Sequence, residues 1–350
     1  MIKIKYYVFL IFTFTFLITW SCQNQNSFST EAKILIKKRI TLNIPDGKVI
    51  GSIFDLAFHG GNNSFCIADF NNHYIWLFDS SGNYLRHFGH LGKGPGDLNK
   101  PMAVAVKSDS IAVLDTGNKS IKFFNWKGEY LREFRIPNSG MASGIAWSYE
   151  IDRIIVSESL GMIHYSYWDR DGTNLKLGHS VYHLQGILMP IQLPGGSCTQ
   201  TPEGHLLYAN PTKYDVIRLN WEGDTLYHYT TNPQNYNKPA LESKAAYMKQ
   251  KRMNILLTPF QLGKYVIVQR MGMEKNKNGI IISDSEHFKC DIFNKIGHLI
   301  AKGLTHSQLP AIASDHKYLY AIDYSGLENE LQRNPEIVVL ELKIQKNDYE

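Results

Sequence analysis

Few residues in this chain have types and spacings that could do chemistry, and the first group is a glycine-rich stretch. GKGPGD occupies 92–97 and precedes the apolar run MAVAV at 102–106. A phosphate-binding loop ends in Lys-Ser or Lys-Thr and opens a helix. Here Lys93 is followed by Gly-Pro-Gly, and MAVAV has the composition of a strand. The stretch is therefore interpreted as a tight turn between strands, with Lys93 and Asp97 at its rim as candidate ligand contacts.

Patterns that bind metal ions are also sparse. HSVYH at 179–183 has two histidines four positions apart, but this segment has the composition of a loop and offers no third ligand. His164 belongs to a scattered set, with His59 and His205, that could form a three-histidine lyase-like centre. Asp55 is the one acid on a predicted innermost strand. Asp55 and His164 are thus the candidates for Ca²⁺ or Zn²⁺, although the sequence predicts no bound metal or cofactor and contains no GxSxG nucleophile motif.

The N-terminus carries the features of an export signal. A short basic start is followed by the charge-free apolar run YYVFLIFTFTFLITW at 6–20, which has signal-peptide length and is short for a membrane-spanning helix. Ser21 then precedes Cys22, and this ending resembles the lipobox of bacterial lipoproteins, in which the cysteine is lipidated. The resemblance implies a signal peptide over 1–21, lipidation of Cys22 and a flexible tether over 22–31. An uncleaved anchor or an ordinary secretory signal would also export the protein.

Charge, the residues after Cys22 and the remaining cysteines indicate the partner, the location and the state of the thiols. The formal net charge is +5 at pH 7, and no basic cluster contains interleaved aromatic residues, so nucleic acid is not an expected partner. QNQNS follows Cys22 without the acidic run that often directs lipoproteins to the cell surface, which favours an outer-membrane lipoprotein on the periplasmic side. Cys66, Cys198 and Cys290 are widely separated and form no CxxC pair, so we expect buried thiols.

An internal repeat carries the prediction of the fold. FCIADFNNHYIWLFDSSGNYLRHF at 65–88 aligns without a gap to IAVLDTGNKSIKFFNWKGEYLREF at 111–134, and 9 of the 24 positions are identical. Each unit contains an apolar strand that ends in Asp, a second strand, a tight turn with Gly, and a third strand that opens with Tyr-Leu. The glycine supplies the positive φ that such a hairpin turn needs. These turn glycines are Gly82, Gly128, Gly172, Gly223 and Gly297.

Polar residues also recur at the ends of equivalent strands. They are Asp69, Asp115, Asn210 and Asp323. A ring of such oxygens could bind Ca²⁺, which takes six to eight oxygen ligands. Alternatively, each side chain accepts N–H bonds from the backbone of its own turn. Because the residue recurs within each blade, the sequence favours this second, structural role.

A further apolar strand precedes each unit, so the chain contains six groups of four strands. This spacing predicts an all-β fold, a six-bladed β-propeller with four-stranded blades. The last unit ends before its turn and lacks an outermost strand, whereas AKILIKKRITL at 32–42 is a spare strand. Pairing these two ends would close the ring and remove an exposed edge. The propeller is therefore expected to span 32–345, with a short tail over 346–350.

One stretch gives the chain a family resemblance. GKGPGDLNKP lies between two units of the form D…N…I…F…G-x-Y-L, and this arrangement closely resembles the NHL and TolB-like six-bladed propeller lipoproteins found in Bacteroidetes. The resemblance covers about 30–345. It implies the propeller fold and a place in the cell envelope, and its motifs are specific to the fold rather than to an activity.

Loops of unequal length all fall on one face of the predicted propeller. This link face carries the connections between blades and the turns between second and third strands, whereas the opposite turn face carries short turns. The long segments are 89–100, 176–195, 230–253, 269–280 and 324–335. Long loops on a rigid scaffold usually carry function. PALESKAAYMKQKRM at 239–253 has helical composition and is expected on the link face as a lid or buttress, or else as a solvated decoration.

These features favour a binding module without enzymatic activity. It would be a lipid-anchored propeller of the cell envelope whose link face binds a peptide, a glycan or a protein partner. The candidate contacts are Lys93, Asp97, Tyr182, Tyr214, Tyr236, Arg252 and Arg270. The alternative is a metal-dependent lactonase, hydrolase or lyase of the six-bladed propeller type, which would need a central cluster of acids or histidines.

Overall fold

The chain folds into an all-β, six-bladed propeller with four-stranded antiparallel blades, as the repeat predicts. The computed structural model describes residues 31–136, 142–148, 150–158, 163–169, 171–179, 197–210, 213–231, 236–238, 240, 249–275, 281–305, 309–324 and 334–345. Within these ranges, no helix is long and apolar enough to cross a membrane.

The first three blades follow the chain from the innermost to the outermost strand. Blade 1 contains β2 (Ile53–His59), β3 (Ser64–Asp69), β4 (Tyr74–Asp79) and β5 (Tyr84–Phe88). Blade 2 contains β6 (Pro101–Lys107), β7 (Ser110–Asp115), β8 (Ser120–Asn125) and β9 (Tyr130–Arg135). Blade 3 contains β10 (Ala142–Trp147), β11 (Arg153–Glu158), β12 (Ile163–Asp169) and β13 (Asn174–His179).

The next two blades keep this order, with one addition. Blade 4 contains β14 (Cys198–Gln200), β15 (Leu206–Ala209), β16 (Val216–Leu219) and β17 (Thr225–Tyr229). Blade 5 contains β18 (Arg252–Leu256), β20 (Tyr265–Lys275), β21 (Ile281–Asn294) and β22 (Leu299–Leu304). The short strand β19 (Phe260–Leu262) also pairs with β20.

Blade 6 is built from both ends of the propeller. β23 (Ala311–Ser314), β24 (Leu319–Asp323) and β25 (Glu336–Gln345) lie in order from the axis outwards, and β1 (Glu31–Thr41) pairs with β25 as the outermost strand. Arg39 on β1 forms ion pairs with Asp323 at 2.5 Å and with Glu336 at 3.0 Å. The predicted closure by the N-terminal strand is thus confirmed.

The hydrophobic core lies between neighbouring blades. Middle strands pack against other blades on both faces, so all six residues of β3 are buried and the strand is almost continuously apolar. Trp76 of blade 1 belongs to one cluster with Tyr320 of blade 6. Leu77, the next residue along β4, points to the other side and belongs to a cluster with Val113 of blade 2. Each blade therefore stabilises two neighbours, which an isolated blade could not do.

The described cysteines agree with the sequence. Cys66, Cys198 and Cys290 are free and buried, as predicted. Burial raises the pKa of the Cys198 thiol to about 12 and also raises the pKa values of the other two thiols. These thiols therefore stay protonated near neutral pH and act as small apolar side chains.

Four of the six innermost strands have a β-bulge near the link face. The register of β2 shifts between Ile53 and Asp55, so Phe54 is the extra residue. Equivalent shifts occur in three other innermost strands, at Met102, Ser143 and Ile312. A bulge re-aims the side chain that it adds. In β2 that side chain is an aromatic ring.

The five turn glycines on the turn face have the positive φ that the predicted hairpins require, between 82° and 97°. Gly82 shows a second constraint, because a Cβ at this position would lie 2.1 Å from the carbonyl oxygen of Thr41 in β1. A Cβ at Gly128 would lie 2.8 Å from the Phe88 ring of the preceding blade. The turns of blades 1 and 2 therefore pack closely on the outermost strand of the neighbouring blade.

Two expected loop segments of the link face differ from the prediction. Residues 269–275 belong to β20, and its pairing with β21 extends to Lys275 and Ile281, so this segment continues a hairpin. Of the expected helix over 239–253, Arg252 and Met253 belong instead to β18, the innermost strand of blade 5. Most of the remaining positions of that segment lie outside the described residues, as do the tail and residues 1–30.

Candidate functional site

The innermost strands enclose a cavity of about 190 Å³ on the propeller axis. Residues of β2, β6, β10, β14 and β23 line it, together with Thr258 and Phe260 of blade 5. Because β2 begins at the link face, Phe54 lies at the link-face end of the cavity, here called the mouth. Trp147 and His316 line the opposite end, which is next to the turn face.

Two stacked aromatic rings form a platform at the mouth. Phe54 is 49% exposed, and its ring centroid lies 4.4 Å from that of Phe70 with an interplanar angle of 25°. The Nζ atom of Lys100 lies 5.7 Å from the centroid of the Phe70 ring. Stacked rings with an adjacent cation present a flat apolar surface with one charged edge. This aromatic platform, Phe54 and Phe70, is the candidate binding surface.

Asp55 lines the cavity directly beside the platform. Its Oδ2 atom accepts a hydrogen bond from the backbone N–H of Val104 in blade 2, at 2.9 Å. Burial raises the pKa of Asp55 to about 7, against the opposing effect of N–H bonds from Val104 and Leu56. At the same ladder position, three other innermost strands carry Ala103, Gly144 and Ala313. A carboxyl group is therefore not a requirement of the strand.

A buried lysine fixes the backbone of the glycine-rich loop at 89–100. Lys122 is 1% exposed, and its Nζ donates hydrogen bonds to the carbonyl oxygens of Gly94 at 3.1 Å and Asp97 at 2.6 Å. Asp97 Oδ2 also accepts the N–H of Gly94 at 2.7 Å, and His90 Nδ1 lies 3.2 Å from Asp97 Oδ1. The loop is thus a tight turn that precedes strand β6, and Asp97 shapes it from within. Lys93 is exposed on its surface.

The strand-end acids of blades 1 and 2 connect neighbouring segments. Asp69 is fully buried and accepts backbone N–H bonds from Gly51 at 2.9 Å and Ser52 at 3.1 Å, as well as from Asn72 of its own turn at 3.2 Å. Asp115 accepts the backbone N–H of Asn99 at 2.8 Å. Burial raises the pKa of Asp115, although several hydrogen bonds oppose this effect. Both carboxyl groups join a turn to the preceding link between blades.

The other two strand-end residues have different surroundings. Asp323 forms the ion pair with Arg39 of β1, so it connects the two ends of the ring. The backbone N–H of Asn210 donates to the carbonyl oxygen of Asp215 at 2.9 Å. The three acids therefore each have their own protein partners. Within the described ranges, no group of three or more His, Cys, Asp or Glu side chains could hold a metal ion.

Three predicted contacts, one buried and two half-buried, form a cluster in place of an exposed surface. Tyr214 is 8% exposed, and its hydroxyl donates to Asp291 Oδ2 at 2.5 Å. Arg270 Nε lies 3.2 Å from the same oxygen. Tyr236 packs edge-on against Tyr214, with ring centroids 5.4 Å apart. Because blades 4 and 5 cover these side chains, they hold the two blades together and are not accessible to a large ligand.

The remaining predicted site residues are scattered. Arg252 lies on β18 with its side chain 66% exposed and pairs with Glu274 at 3.2 Å. His164 lies on β12, and its side chain is outside the described residues, as is Tyr182. Cys22, the predicted lipidation site, is also outside them. Only Lys93 and Arg252 are therefore exposed contacts among the described candidates.

The sequence contains a signal for the aromatic platform. Phe70 follows the strand-end Asp69, and the repeat places Thr116 at the equivalent position of blade 2. A large apolar residue at the start of an exposed turn is unusual for a purely structural turn. Lys122 has the same kind of signal, because it replaces Trp76 of blade 1 in the middle of an apolar strand. Departures from the repeat identify both residues.

Comparisons with known proteins agree with this fold. The model of the family DUF5128, a 6-bladed beta-propeller, matches residues 20–153. A segment of 75 residues is 35% identical to part of Protein brain tumor from Drosophila melanogaster. That match covers 21% of this chain and 7% of the fly protein, so the chain spans only a small part of this relative.

Solved structures share the propeller at low sequence identity. A member of the DUF4221 family from Bacteroides vulgatus is 12% identical, with a TM-score of 0.63 over 90% of this chain and 99% of that one. A candidate exported protein from Bacteroides fragilis is 14% identical, with a TM-score of 0.55 over 93% and 98% of the two chains. An inactive virginiamycin B lyase from Staphylococcus aureus, with quinupristin, is 11% identical, with a TM-score of 0.51 over 91% and 97%. These similarities show the fold alone.

Proposed function

We propose that the protein is an exported binding module of the cell envelope that recognises a peptide, a glycan or a partner protein at the mouth of its axial cavity. The observation that carries this proposal is the aromatic platform. Phe54 is 49% exposed and stacks on Phe70 beside the cavity, on the face that carries the long loops. Exposed stacked rings next to a cavity are typical of a surface that a ligand covers.

The energetics favour a ligand with a flat apolar group. Fully burying a Phe side chain contributes about 1.5–3 kcal/mol, and ring stacking adds about 0.5–1.5 kcal/mol. The bulge at Phe54 and the packing of Phe70 on it fix the two rings before a ligand arrives. A preorganised surface loses little side-chain entropy on binding. Aromatic side chains of a peptide and the apolar faces of sugar rings both fit this surface.

Export and lipid anchoring complete the proposed role. The apolar run at 6–20 and the Ser-Cys ending at Cys22 support a lipoprotein signal, and the low-identity neighbour from Bacteroides fragilis is a candidate exported protein. The proposal places the propeller on the periplasmic side of the outer membrane. Metabolic labelling with an alkyne fatty acid should modify the wild-type chain and not the Cys22→Ser variant. Protection from added protease in intact cells would support the periplasmic side, and digestion would contradict it.

The binding site is tested with the full chain, purified in detergent, on arrays of peptides and glycans. Phe70→Thr introduces the residue of blade 2 and should weaken binding of the selected ligand at least about 10-fold, because the stacked surface is lost. Leu131→Thr removes an exposed apolar side chain from the outermost strand of blade 2 and should leave binding unchanged. Equal losses in both variants, or full binding by Phe70→Thr, would contradict the proposed site.

A further inference from the structure

The axial cavity combines aromatic rings with a single carboxyl group. Phe54, Phe58, Trp147 and Phe260 line it, and Asp55 lies between the first two on the same strand. A carboxylate that shares a cavity with aromatic rings suits organic cations, because the ring faces and the carboxylate both attract positive charge. This cavity therefore has a defined chemical preference in addition to its apolar mouth.

No other lining group competes with Asp55 for charge near neutral pH. Burial lowers the pKa of His316, so its imidazole is neutral, and burial raises the pKa of the Cys198 thiol to about 12. Cys66, on the strand paired with β2, also has its thiol pKa raised by burial and by Asp55. Within the part of the chain that the structure describes, Asp55 has no ion-pair partner.

The hydrogen bonds of Asp55 leave it capacity for a ligand. Its Oδ2 atom accepts from Val104 of blade 2, and backbone N–H groups account for the hydrogen bonds that affect its titration. A carboxylate has about four acceptor positions, so further donors can be accommodated. The fold does not require the carboxyl group, since equivalent strands use Ala103, Gly144 and Ala313. An acid that is costly to bury and is not needed by the strand indicates a function.

We propose that the axial cavity binds an ammonium group, with the Asp55 carboxylate as its counter-ion and the Phe54 ring at the mouth over its alkyl chain. This inference rests on the proposed binding function and specifies the chemistry of the ligand. The cavity of about 190 Å³ corresponds to about six water volumes, which is enough for a butylammonium-sized group. The group could belong to a free alkylamine or to a peptide, through a lysine side chain or the chain terminus.

Binding should depend on pH in a defined direction. Since burial raises the pKa of Asp55 to about 7, the carboxyl group is mostly charged at pH 8 and mostly protonated at pH 5.5. Only the charged form attracts a cation, so the apparent affinity should fall roughly 30-fold between these two pH values. A bound cation should in turn lower the pKa of Asp55.

The experiment is calorimetric titration of the full chain, purified in detergent, with n-butylammonium and with its neutral isostere 1-butanol. The expected result is binding of the ammonium at pH 8, a roughly 30-fold loss at pH 5.5, and weak binding of the alcohol at both pH values. Lysine-containing peptides and n-butylammonium are then compared, because tighter binding of the peptides would identify a peptide amino group as the source. Equal binding of the alcohol and the ammonium would overturn the inference.

Two variants and one spectroscopic measurement keep the test decisive. Asp55→Asn keeps an acceptor for Val104 and should lose at least about 10-fold in ammonium affinity, whereas Asp109→Asn removes an exposed turn-face acid and should lose none. If Asp55→Asn fails to fold, a carbon-13 titration of the Asp55 carboxyl in the wild-type chain replaces it. Saturating n-butylammonium should lower that pKa, and an unchanged pKa overturns the inference. If ammonium does not bind but Phe70→Thr still weakens array binding, the inference fails and the proposed function stands.

Discussion

Blades 1 and 2 are near copies that use the same framework for different purposes. Both have the buried strand-end acid, Asp69 or Asp115, and both have a turn glycine that contacts the preceding blade. In blade 1, Trp76 donates to Asp69 Oδ2 at 3.2 Å, whereas in blade 2 Lys122 lies 3.6 Å from Asp115 Oδ2. The acid is therefore constant, and its partner on the second middle strand changes.

The difference shows how a repeat acquires special sites. Blade 2 uses its lysine to fix the glycine-rich loop, because Lys122 also donates to two carbonyl oxygens of that loop. Blade 1 keeps an apolar Trp there and departs from blade 2 elsewhere, at Asp55 and Phe70, which face the cavity and its mouth. The residue that is special to blade 2 thus stabilises a loop, whereas the residues that are special to blade 1 form the candidate site. Substitutions can test this division.

The largest expected effect is the loss of the buried lysine. Lys122→Met leaves Asp115 and two loop carbonyls without their cationic donor inside the protein, so unfolding free energy should fall by about 3–5 kcal/mol. Trp76→Phe in blade 1 should cost about 2 kcal/mol, because it removes one hydrogen bond and leaves a small cavity while Asp69 keeps its backbone N–H bonds. Urea unfolding measures both, with the exposed Lys127→Met as the control. Similar losses for Lys122→Met and Trp76→Phe would contradict the distinction.

The turn glycines should differ in the same measurement. Gly82→Ala places a Cβ against the backbone carbonyl of Thr41, which cannot easily move, so we expect a loss of about 3 kcal/mol from strain and positive φ together. Gly128→Ala meets the side chain of Phe88, which can shift, and should cost less. Gly47→Ala has positive φ but no neighbour within 4 Å and should cost about 1–2 kcal/mol. A larger loss for Gly47→Ala than for Gly82→Ala would exclude the predicted contact with β1.

Unlike the residues above, the charged Asp55 side chain should lower the stability of the folded protein. The pKa of Asp55 is raised to about 7 in the folded protein, so the native state binds more protons than the unfolded state between about pH 4 and 7. Stability therefore falls as pH rises through this range. Asp55→Asn removes the fall and should be more stable than wild type at pH 8, by about 1–3 kcal/mol, and similar to it at pH 4.5. Urea unfolding at both pH values checks this, and a variant that is less stable at pH 8 would contradict it.

The platform should have the smallest effect on stability. Phe70→Thr exchanges a half-buried ring for the blade 2 residue Thr116 and should cost less than about 1 kcal/mol, because its partner Phe54 is exposed already. Thermal unfolding measures this change, and the ligand arrays measure the much larger loss of binding. A loss of stability that equals the loss of binding energy would assign Phe70 to the core.

The repeat made the fold predictable because each blade buries its apolar residues in the same way. The six blades, the four strands in each and the closure by β1 follow from spacing and from the strand left over at the N-terminus. The strand pairing of residues 269–275 is not evident from the sequence, because their charged neighbours resemble a loop when the pairing partner is unknown. The start of β18 at Arg252 was missed for the same reason.

The candidate site was predictable only in part. Loop length indicates the link face, yet Tyr214 is buried against Asp291, and the Arg270 side chain that contacts the same carboxylate is only 12% exposed. Aromatic and basic residues in a long connection can lie between blades as easily as on a surface, and one sequence does not distinguish these positions. Asp55 was identified because an acid on an innermost strand is unusual. Phe54 was not, because the bulge that turns its ring to the mouth leaves no mark in the sequence.

The pairing of β1 with β25 in the last blade must form late in folding. Lys37 of β1 contacts Glu341, which lies 304 positions further along the chain. This contact therefore cannot form until nearly the whole polypeptide is present. Contacts between such distant segments make folding slow. Until then β1 has no pairing partner, and its unpaired backbone is open to association with other chains. The propeller can therefore close only when β25 is available, and β1 must be kept from pairing with other chains until then.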